Sequence, residues 1–421
     1  MKKMPKLPKI KLPDLKSLGL DKFLKMGSLR EKIIKTASDK KIPELESYAP
    51  NAMALANHPK EQHLIITDVI DHENGFKSFV FGPDSSMGTE KLAYFNAGDY
   101  ISLTIQIGKS IITRPYSFAS SPKESLEGKY MISIKKVEGG FSSEYIFENW
   151  TVGTKVEASA PLDMLSYESL RDAPTIVAVA GGSGITPFYS MAQAIRDGFE
   201  DFNLVLLYGT RTLKDAVFLK EMHEIEKNCP KFKMVNILSE ESIENAKKST
   251  IDFLDELSLE EGFITAEIIK KYAPENAEYS VFMCGPGAMY KAVSKECEKL
   301  GIKKRLIRYG AAEEYNPLKA EDFPKEKAGT YSLTVKMHDR VQTISCSSDE
   351  PLLVALEREG IKAPSQCRRG TCGWCRSKLV SSADTVFIPT NMDKRRAADK
   401  TYGYIHPCCT FPIGNVIIYL E

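Results

Sequence analysis

Residues 367–375 read CRRGTCGWC, and this stretch places three cysteines, Cys367, Cys372 and Cys375, within nine positions. Six of the nine cysteines of the chain lie after residue 340. Nine cysteines in 421 residues do not form the disulfide scaffold of a small secreted domain. A compact group of thiols in a chain of this kind indicates metal binding instead. We therefore expect the C-terminal part of the chain to fold around a metal centre.

The spacing of these thiols favours iron over zinc. Plant-type two-iron two-sulfur clusters use C-x4-C-x2-C followed by a distant fourth cysteine, and here Cys408 and Cys409 follow. Structural zinc sites usually pair two knuckles of closely spaced ligands, whereas the fourth thiol here is single and distant. Gly370 and Gly373 allow backbone amides of the loop to turn toward the sulfurs. Neighbouring side chains of an extended segment point to opposite faces, so only one of Cys408 and Cys409 is expected to bind.

A second motif lies in the middle of the chain, where the apolar run TIVAVA leads into GGSGITP at residues 181–187. Small residues at such a turn let a pyrophosphate approach the backbone at a helix N-terminus, and Pro187 suits the first helical turn. The third glycine of the G-x-G-x-x-G fingerprint is missing, and tight packing alone is the alternative explanation. Apolar runs followed by helical stretches recur up to CGPG at residues 284–287, which predicts a parallel sheet covered on both faces.

A third motif, RPYS at residues 114–117, ends a strand in a region of short β-type runs separated by turn residues. Such runs between residues 62 and 165 predict an antiparallel barrel or sandwich. An arginine can neutralise a diphosphate while an aromatic ring stacks on a flat heterocycle. GGFSS at residues 139–143 opens a helical run whose free amides can bind phosphate. Together these motifs predict a flavin site, against the simpler alternative of an edge-strand ion pair beside a surface tyrosine.

The rest of the chain sets its organisation. We predict a basic extension over residues 1–60, a flavin-binding β-barrel over 61–168, an NAD(P)-binding α/β domain over 169–310, a charged linker over 311–329 and a third domain over 330–421. Residues 1–41 contain thirteen Lys or Arg against four Asp or Glu. This extension is expected to be a solvated tail or a docked helix, and a contact surface for an acidic partner or a membrane is the alternative.

Composition excludes several classes of function. Basic and acidic side chains number 57 and 56, so no overall positive field favours nucleic acid as a partner. The sequence contains no run of about 18 apolar residues, so it predicts no transmembrane segment. The N-terminus lacks the pattern of a secretory signal. We therefore predict a cytoplasmic protein.

Taken together, the motifs resemble the ferredoxin-NADP reductase superfamily, in the form that carries a C-terminal plant-type ferredoxin domain, over about residues 60–421. The resemblance implies a flavin β-barrel, an α/β nicotinamide domain and a β-grasp ferredoxin domain. It also implies an NAD(P)H-dependent reductase that passes electrons through FAD, or FMN as the alternative, to the cluster and then to a partner protein such as an oxygenase. A subunit of a tightly bound partner enzyme and a redox-sensing adaptor without turnover are the alternatives.

The resemblance assigns roles to individual residues. For the flavin it implies Arg114, Pro115, Tyr116, Ser117, Gly140, Ser142 and Ser143. For the nicotinamide dinucleotide it implies Gly182, Ser183, Gly184, Ile185, Thr186, Gly285 and Pro286, with Cys284 as the catalytic residue near the nicotinamide. Related ferredoxin modules place a proline four residues after the last ligand, so Pro412 favours Cys408 over Cys409.

Two assignments depend on single positions. Arg211, after the second parallel strand, can accept the 2′-phosphate of NADPH, although a solvated loop arginine is as common. Family members often end the nicotinamide domain in Glu-x-aromatic, whereas this chain has Arg308, Tyr309 and Gly310. The residue that covers the flavin ring is therefore left unassigned.

Overall fold

The structure is a computed structural model that describes residues 29–36, 48–310 and 316–420. The chain divides into two compact units, Met1–Ala56 and Asn57–Glu421. In the first unit the described residues form helix α1 over 29–36 and most of α2, Ala49–Asn57. Most of the basic extension lies outside the described residues, so its role stays a prediction. Among the described residues, no helix has the length and apolar character needed to cross a bilayer.

The second unit begins with an antiparallel sheet of six strands in the order β4-β3-β6-β1-β2-β5. The strands are β1 Gln62–Asp71, β2 Phe76–Pro83, β3 Tyr100–Ile107, β4 Ser110–Ser117, β5 Tyr130–Lys135 and β6 Lys155–Ala158, with helices α3 Pro122–Leu126 and α4 Phe141–Asn149. Alternate residues at the start of β1 are buried, as expected for strands with one face on a core. A bridge between Phe118 and Ile132 brings the end of β4 to β5, so the sheet curls into the predicted barrel.

The middle of the unit is a parallel sheet in the order β10-β9-β8-β7-β11-β12. Its strands are β7 Thr175–Gly181, β8 Asn203–Thr210, β9 Phe232–Leu238, β10 Ser258–Glu261, β11 Ser280–Cys284 and β12 Ile307–Tyr309. Its helices are α5 Thr186–Arg196, α6 Leu219–Asn228, α7 Ile243–Ala246, α8 Ala266–Tyr272 and α9 Gly287–Lys299. Two apolar cores cover the two faces of the sheet, as the unbroken apolar runs predict.

The C-terminal part is a mixed sheet in the order β14-β13-β19-β15-β17 beside a two-stranded sheet of β16 and β18. The strands are β13 Thr330–Lys336, β14 Val341–Ser347, β15 Ser377–Leu379, β16 Val386–Phe387, β17 Tyr404–Ile405, β18 Phe411–Pro412 and β19 Val416–Tyr419, with helices α10 Leu352–Arg358 and α11 Ala397–Thr401. A hairpin, a helix and a final strand parallel to β13 form the β-grasp arrangement. In the segment before it, Phe323 is buried and packs edge-on against Phe387.

The barrel shares an apolar core with the parallel-sheet domain. Barrel residues Ala97, Ala119 and Leu165, which we call the nucleotide face, belong to the same buried apolar group as the side of the parallel sheet that carries α5. Two neutral side chains of α5 also donate hydrogen bonds across this contact. Ser190 Oγ donates to the Ser120 carbonyl and Gln193 Nε2 to the Ala119 carbonyl, each at 2.7 Å.

The barrel meets the C-terminal domain through polar groups instead. Strand β4 and the preceding turn, which we call the ferredoxin face, contact α10 and the loop after it. Lys109 lies 2.9 Å from Glu359, and Ser110 Oγ donates to the Arg358 carbonyl at 3.3 Å. The buried apolar groups of the C-terminal domain contain no barrel residue among the described ones.

Candidate functional site

The four predicted cysteine ligands come together as two pairs. The thiols of Cys367 and Cys372 lie within hydrogen-bonding reach of each other, as do those of Cys375 and Cys408. The neighbouring thiol is the main cause that lowers the pKa of Cys367, to about 5, and that of Cys408. The same contacts raise the pKa of the partners, Cys372 and Cys375, so each pair places one thiolate beside one thiol when no metal is bound.

Backbone amides converge on three of these sulfurs. The N–H groups of Arg369 and Cys372 donate to Cys367 Sγ, each at 3.4 Å. Gly370 N donates to Cys408 Sγ at 3.3 Å, and Trp374 N donates to Cys372 Sγ at 3.4 Å. The loop reaches this conformation because Gly370 and Gly373 both have φ of 72°. Such amides stabilise negative charge on sulfur.

The donor set fits two irons better than one zinc. Among the described residues, no three His, Cys, Asp or Glu side chains converge on a single metal position. A tetrahedral zinc needs four donors around one point, whereas a two-iron cluster takes two thiolates on each iron. Two separate pairs therefore match the second arrangement.

Cys409 lies beside the four thiols but is held differently. It is fully buried, and its Sγ donates to the His406 carbonyl at 3.5 Å. The Cys408 thiol beside it and burial raise the pKa of Cys409. A Cβ at Gly370 would lie 2.7 Å from Cys409 Sγ, so this thiol packs beneath the loop.

The predicted flavin residues lie where β4 meets the start of α4. Burial raises the pKa of Tyr116 to about 12, and its hydroxyl is within hydrogen-bonding reach of Ser142. Arg114 Nη1 donates to the Thr113 carbonyl at 3.0 Å and lies 3.7 Å from Glu357. Arg114, Tyr116 and Ser142 are thus together. Pro115 and Ser117 lie on the same strand, β4.

The turn before α4 has no space for a side chain at Gly140. A Cβ there would lie 2.5 Å from Ser143 Oγ and 2.8 Å from the Val137 carbonyl. Ser143 is buried, and its hydroxyl accepts from Val137 N at 3.1 Å. Ser143 therefore braces the turn, whereas Ser142 faces Tyr116.

The carboxyl end of the parallel sheet carries a cavity of about 500 Å³. Its walls include the predicted Gly182, Arg211 and Pro286. Arg211 also lies 3.5 Å from Asp215. Of the other predicted residues, Ser183, Gly184 and Ile185 form the turn between β7 and α5, Thr186 begins α5, and Gly285 follows β11. A Cβ on Gly184 would lie 1.9 Å from the Cys284 carbonyl oxygen, so the turn after β7 lies too close to the end of β11 for any larger residue.

Cys284 ends β11 beside this cavity and is buried. A Cβ on Gly310 would lie 2.8 Å from its Sγ, and the Tyr290 hydroxyl is within hydrogen-bonding reach of it. The Tyr309 ring turns away toward α9, where its hydroxyl lies 3.0 Å from Ser294 Oγ. Arg308, in the segment that lacks the Glu-x-aromatic pattern, donates to the carbonyls of Ser166 and Met164 and so joins the two domains.

Several residues at these sites were not predicted from the sequence. Lys135 from the barrel and Phe263, whose side chain is exposed, line the cavity at the carboxyl end of the parallel sheet. Glu357 on α10 accepts from Arg368 at 2.5 Å and from the Thr113 amide at 3.2 Å. Arg369 in the cysteine loop donates to the Tyr309 carbonyl at 3.3 Å. Phe263 follows a glycine after a strand, which is the one local signal; the others depend on distant partners.

Three family models match the chain in the order of its domains. An oxidoreductase FAD-binding domain matches residues 72–167, an oxidoreductase NAD-binding domain matches 178–295, and a 2Fe-2S iron-sulfur cluster binding domain matches 335–412. The solved structure of phthalate dioxygenase reductase superposes with a TM-score of 0.57 at 20% identity, covering 86% of this chain and 98% of that one. The chain therefore has the fold of that reductase.

Curated relatives cover most of the chain. The glycine betaine monooxygenase reductase subunit of Chromohalobacter salexigens is 24% identical over 83% of this chain and 93% of its own length. The ferredoxin reductase component of a 3-ketosteroid-9-alpha-monooxygenase from Rhodococcus rhodochrous is 24% identical over 84% and 94%. NADH-cytochrome b5 reductase 1 of Dictyostelium discoideum is 30% identical over 50% of this chain and 68% of its own length.

A flavin barrel, a nicotinamide domain and a ferredoxin domain in one chain define an NAD(P)H-dependent flavin iron-sulfur reductase. The chain belongs to the ferredoxin-NADP reductase superfamily, in the form with a C-terminal plant-type ferredoxin domain. It is an oxidoreductase that uses FAD and a two-iron two-sulfur cluster to pass electrons from NAD(P)H to a partner protein.

Proposed function

We propose that this chain is the reductase component of an oxygenase system and delivers electrons one at a time to a separate oxygenase protein. When bound, the flavin supplies two-electron chemistry toward NAD(P)H and the cluster supplies one-electron chemistry toward the partner. The protein positions these groups, so no general acid or nucleophile is required among its six histidines. The sequence predicts a cytoplasmic location for this reaction.

One observation carries the proposal: the cysteine loop is hydrogen-bonded to both other domains. Arg368 Nη1 donates to the Thr113 carbonyl at 3.2 Å, next to the predicted flavin residue Arg114. Arg369 Nη2 donates to the Tyr309 carbonyl at the end of β12. The loop that holds the thiols therefore meets the flavin strand and the nicotinamide domain at one place, as direct electron transfer requires.

Within this function the residues of the site take the predicted roles. Arg114 neutralises a flavin phosphate, the amides at the start of α4 bind it, and Tyr116 positions the flavin ring. Gly182 and Pro286 let the nucleotide approach the backbone, while the short side chain of Cys284 leaves space for the nicotinamide. The thiolates of Cys367, Cys372, Cys375 and Cys408 hold the two irons.

An anaerobic titration with NADH and NADPH tests the function. Purified protein should show flavin and cluster absorbance, and both should bleach on addition of one or both nucleotides. Absence of flavin, or no bleaching by either nucleotide, would rule out the reductase. Bleaching of the flavin alone would show that the electrons do not reach the cluster.

Serine substitutions test the fourth ligand. In Cys408→Ser, we expect loss or strong alteration of the visible and paramagnetic spectra of the cluster, because an amide already donates to this sulfur. Cys409→Ser is the matched control one position away and should keep the cluster. The reverse pattern would assign the ligand to Cys409.

Nucleotide preference depends on Arg211. We propose that this side chain favours NADPH, because it lines the cavity beside the end of β8 and can accept the extra phosphate. Arg211→Ala should lower kcat/KM for NADPH by about tenfold and leave the value for NADH within a factor of about two. An unchanged ratio of the two values would exclude Arg211 from selectivity.

A further inference from the structure

Trp374, between the second and third cysteines of the loop, is directed outward. Its amide donates to Cys372 Sγ at 3.4 Å, yet its side chain is 56% exposed. Cys372 itself is exposed, unlike Cys367, Cys375 and Cys408. Exposing a tryptophan side chain to water is unfavourable in a monomer. Exposed tryptophans are typical of the anchor residues of protein interfaces.

The surface beside this indole is positively charged. A cavity of about 250 Å³ lies there, and its wall carries the cations Arg376, Lys394 and Arg396. Its one acid among the described lining residues, Asp399, is buried and lies 3.6 Å from Arg376. We call these four outward side chains, Trp374 and the three cations, the tryptophan rim.

The acid that precedes Lys394 in the chain, Asp393, does not neutralise the rim. Asp393 lies 2.9 Å from Arg395 Nε and 3.1 Å from Lys400. The described ion pairs therefore leave the charges of Lys394 and Arg396 as a local excess. The chain as a whole carries a net charge of only +1, so this excess is a property of the rim and not of the protein.

The other side of the indole has a different character. A second cavity, of about 340 Å³, also includes Trp374 in its wall. The charges there are mixed, because Lys60 and Lys362 stand with Glu61 and Glu157. Lys362 already pairs with Glu157 at 3.1 Å. Positive charge in excess is thus confined to one side of Trp374.

We propose that the tryptophan rim is the docking surface for the electron acceptor, and that the acceptor presents an acidic patch with an apolar contact for Trp374. This inference rests on the proposed function and specifies the chemistry of its partner. Each NAD(P)H oxidised to NAD(P)⁺ releases one proton and two electrons, so two acceptor molecules each gain one electron. Opposite charges steer such an encounter and raise its rate at low salt.

Two protein probes of opposite charge test the proposal without the natural partner. An acidic rubredoxin and the basic cytochrome c each accept one electron. Their second-order reduction rates are measured anaerobically at low and high salt with the full-length enzyme, reduced by whichever of NADH and NADPH bleaches it. Each variant is compared with the wild type on the same probe, so differences in driving force cancel.

Charge reversal is the decisive variant. Lys394→Glu with Arg396→Glu should slow rubredoxin reduction by about tenfold at low salt, speed cytochrome c reduction and flatten the salt dependence for rubredoxin. The control, Lys247→Glu with Lys248→Glu, reverses the same charge on the nucleotide domain and should change both rates by less than about twofold. Trp374→Ala should slow both probes, and Trp374→Phe should restore them.

The outcomes separate this inference from the proposed function. If neither NADH nor NADPH bleaches the wild-type flavin and cluster, the proposed function fails and the docking surface fails with it. If bleaching is intact but rim reversal changes both probes equally or neither, the docking surface alone is overturned. The docking surface would also be overturned if the control pair had an effect as large as that of the rim pair. The rates would then depend on the net charge of the protein and not on where the charges lie.

Discussion

The barrel has two neighbours, and it contacts them in opposite ways. On the nucleotide face, Ala119 and Leu165 are buried in a core shared with the parallel-sheet domain. On the ferredoxin face, the buried carboxylate of Glu357 lies between the guanidinium groups of Arg114 and Arg368. Apolar burial depends weakly on salt, whereas ion pairs are screened by it. The two contacts should therefore respond differently to the same change in conditions.

The difference assigns different mechanical roles to the two domains. A shared core makes the barrel and the nucleotide domain one cooperative body, in which separation exposes apolar surface. A polar contact lets the ferredoxin domain undock at lower cost and without exposing a core. The first contact suits a fixed site for flavin and nucleotide, and the second suits a carrier that must also meet a partner.

The largest expected effect follows from removing the central acid of the ferredoxin face. Glu357→Ala leaves two partly buried cations without their carboxylate, which should weaken docking by about 3–5 kcal/mol. Two measurements follow the loss of docking. Stopped flow gives the rate of electron transfer from flavin to cluster, and small-angle scattering gives the dimensions of the protein. Glu359→Ala, at the exposed end of the same helix, is the matched control and should change docking much less, because solvent screens its ion pair with Lys109. Equal effects of the two variants would contradict a central role for Glu357.

On the nucleotide face the matching change is Leu165→Ala. Leu165 is 1% exposed, so truncation should lower the free energy of unfolding by about 2–4 kcal/mol. Denaturant unfolding at two salt concentrations measures it, and the loss should be the same at both. A loss that grows with salt would show that this contact is not an apolar core.

Arg114 is a predicted flavin residue and also lies on the ferredoxin face, so its removal tests both assignments. Arg114→Ala should weaken flavin binding by about 1.5–3 kcal/mol, because one charge-assisted phosphate contact is lost. Flavin retention after gel filtration measures it. The variant should also undock more readily, since Glu357 loses one of its cations. Full flavin occupancy would exclude Arg114 as a phosphate ligand.

Acidity should affect the two faces in opposite directions. Near the nucleotide face, burial raises the pKa of Asp99 and of Glu200 from ordinary values of 3.8 and 4.5 to about 7. Asp99 and Glu200 repel each other, and Asp163 adds to this repulsion at Asp99. The folded protein therefore holds protons that the unfolded chain releases, and stability should fall as the pH rises from about 4 to 7.

The expected loss is several kcal/mol, most of it from the more buried Asp99, and is followed as thermal stability against pH. Asp99→Asn should flatten the profile, whereas Asp68→Asn on an exposed part of β1 should not. On the ferredoxin face, the Lys109 ion pair lowers the pKa of Glu359, so that contact should weaken as the pH falls. If the thermal stability of the wild type does not change with pH, Asp99 and Glu200 do not have the raised pKa values on which this prediction depends.

The sequence predicted the parts of this molecule that are encoded locally. The alternating burial of β1, the Gly-rich turn after β7 and the spacing of Cys367, Cys372 and Cys375 are contiguous patterns, and the fold classes and cofactors that they predicted are confirmed. The assignment of individual residues to flavin, nucleotide and cluster stays a prediction.

The contacts between domains could not be predicted in the same way. In the sequence, Glu357 cannot be distinguished from any other polar residue of a helix, because its partner Thr113 is 244 positions away. Asp99 and Glu200 likewise look like ordinary surface acids until the barrel meets α5. Arg308 looks in the sequence like an ordinary charged residue, and only the fold shows that it joins two domains through carbonyls.

The packing of Phe323 against Phe387 has a consequence for how undocking would proceed. This pair anchors the segment before β13 to the ferredoxin domain itself, so only the chain between Gly310 and Phe323 connects that domain to the rest. A connection this short maintains an effective concentration on the order of millimolar. The docked and undocked forms are thus related by a unimolecular equilibrium that dilution does not shift. Even a weak ionic contact suffices to return the ferredoxin domain to the flavin after each delivery.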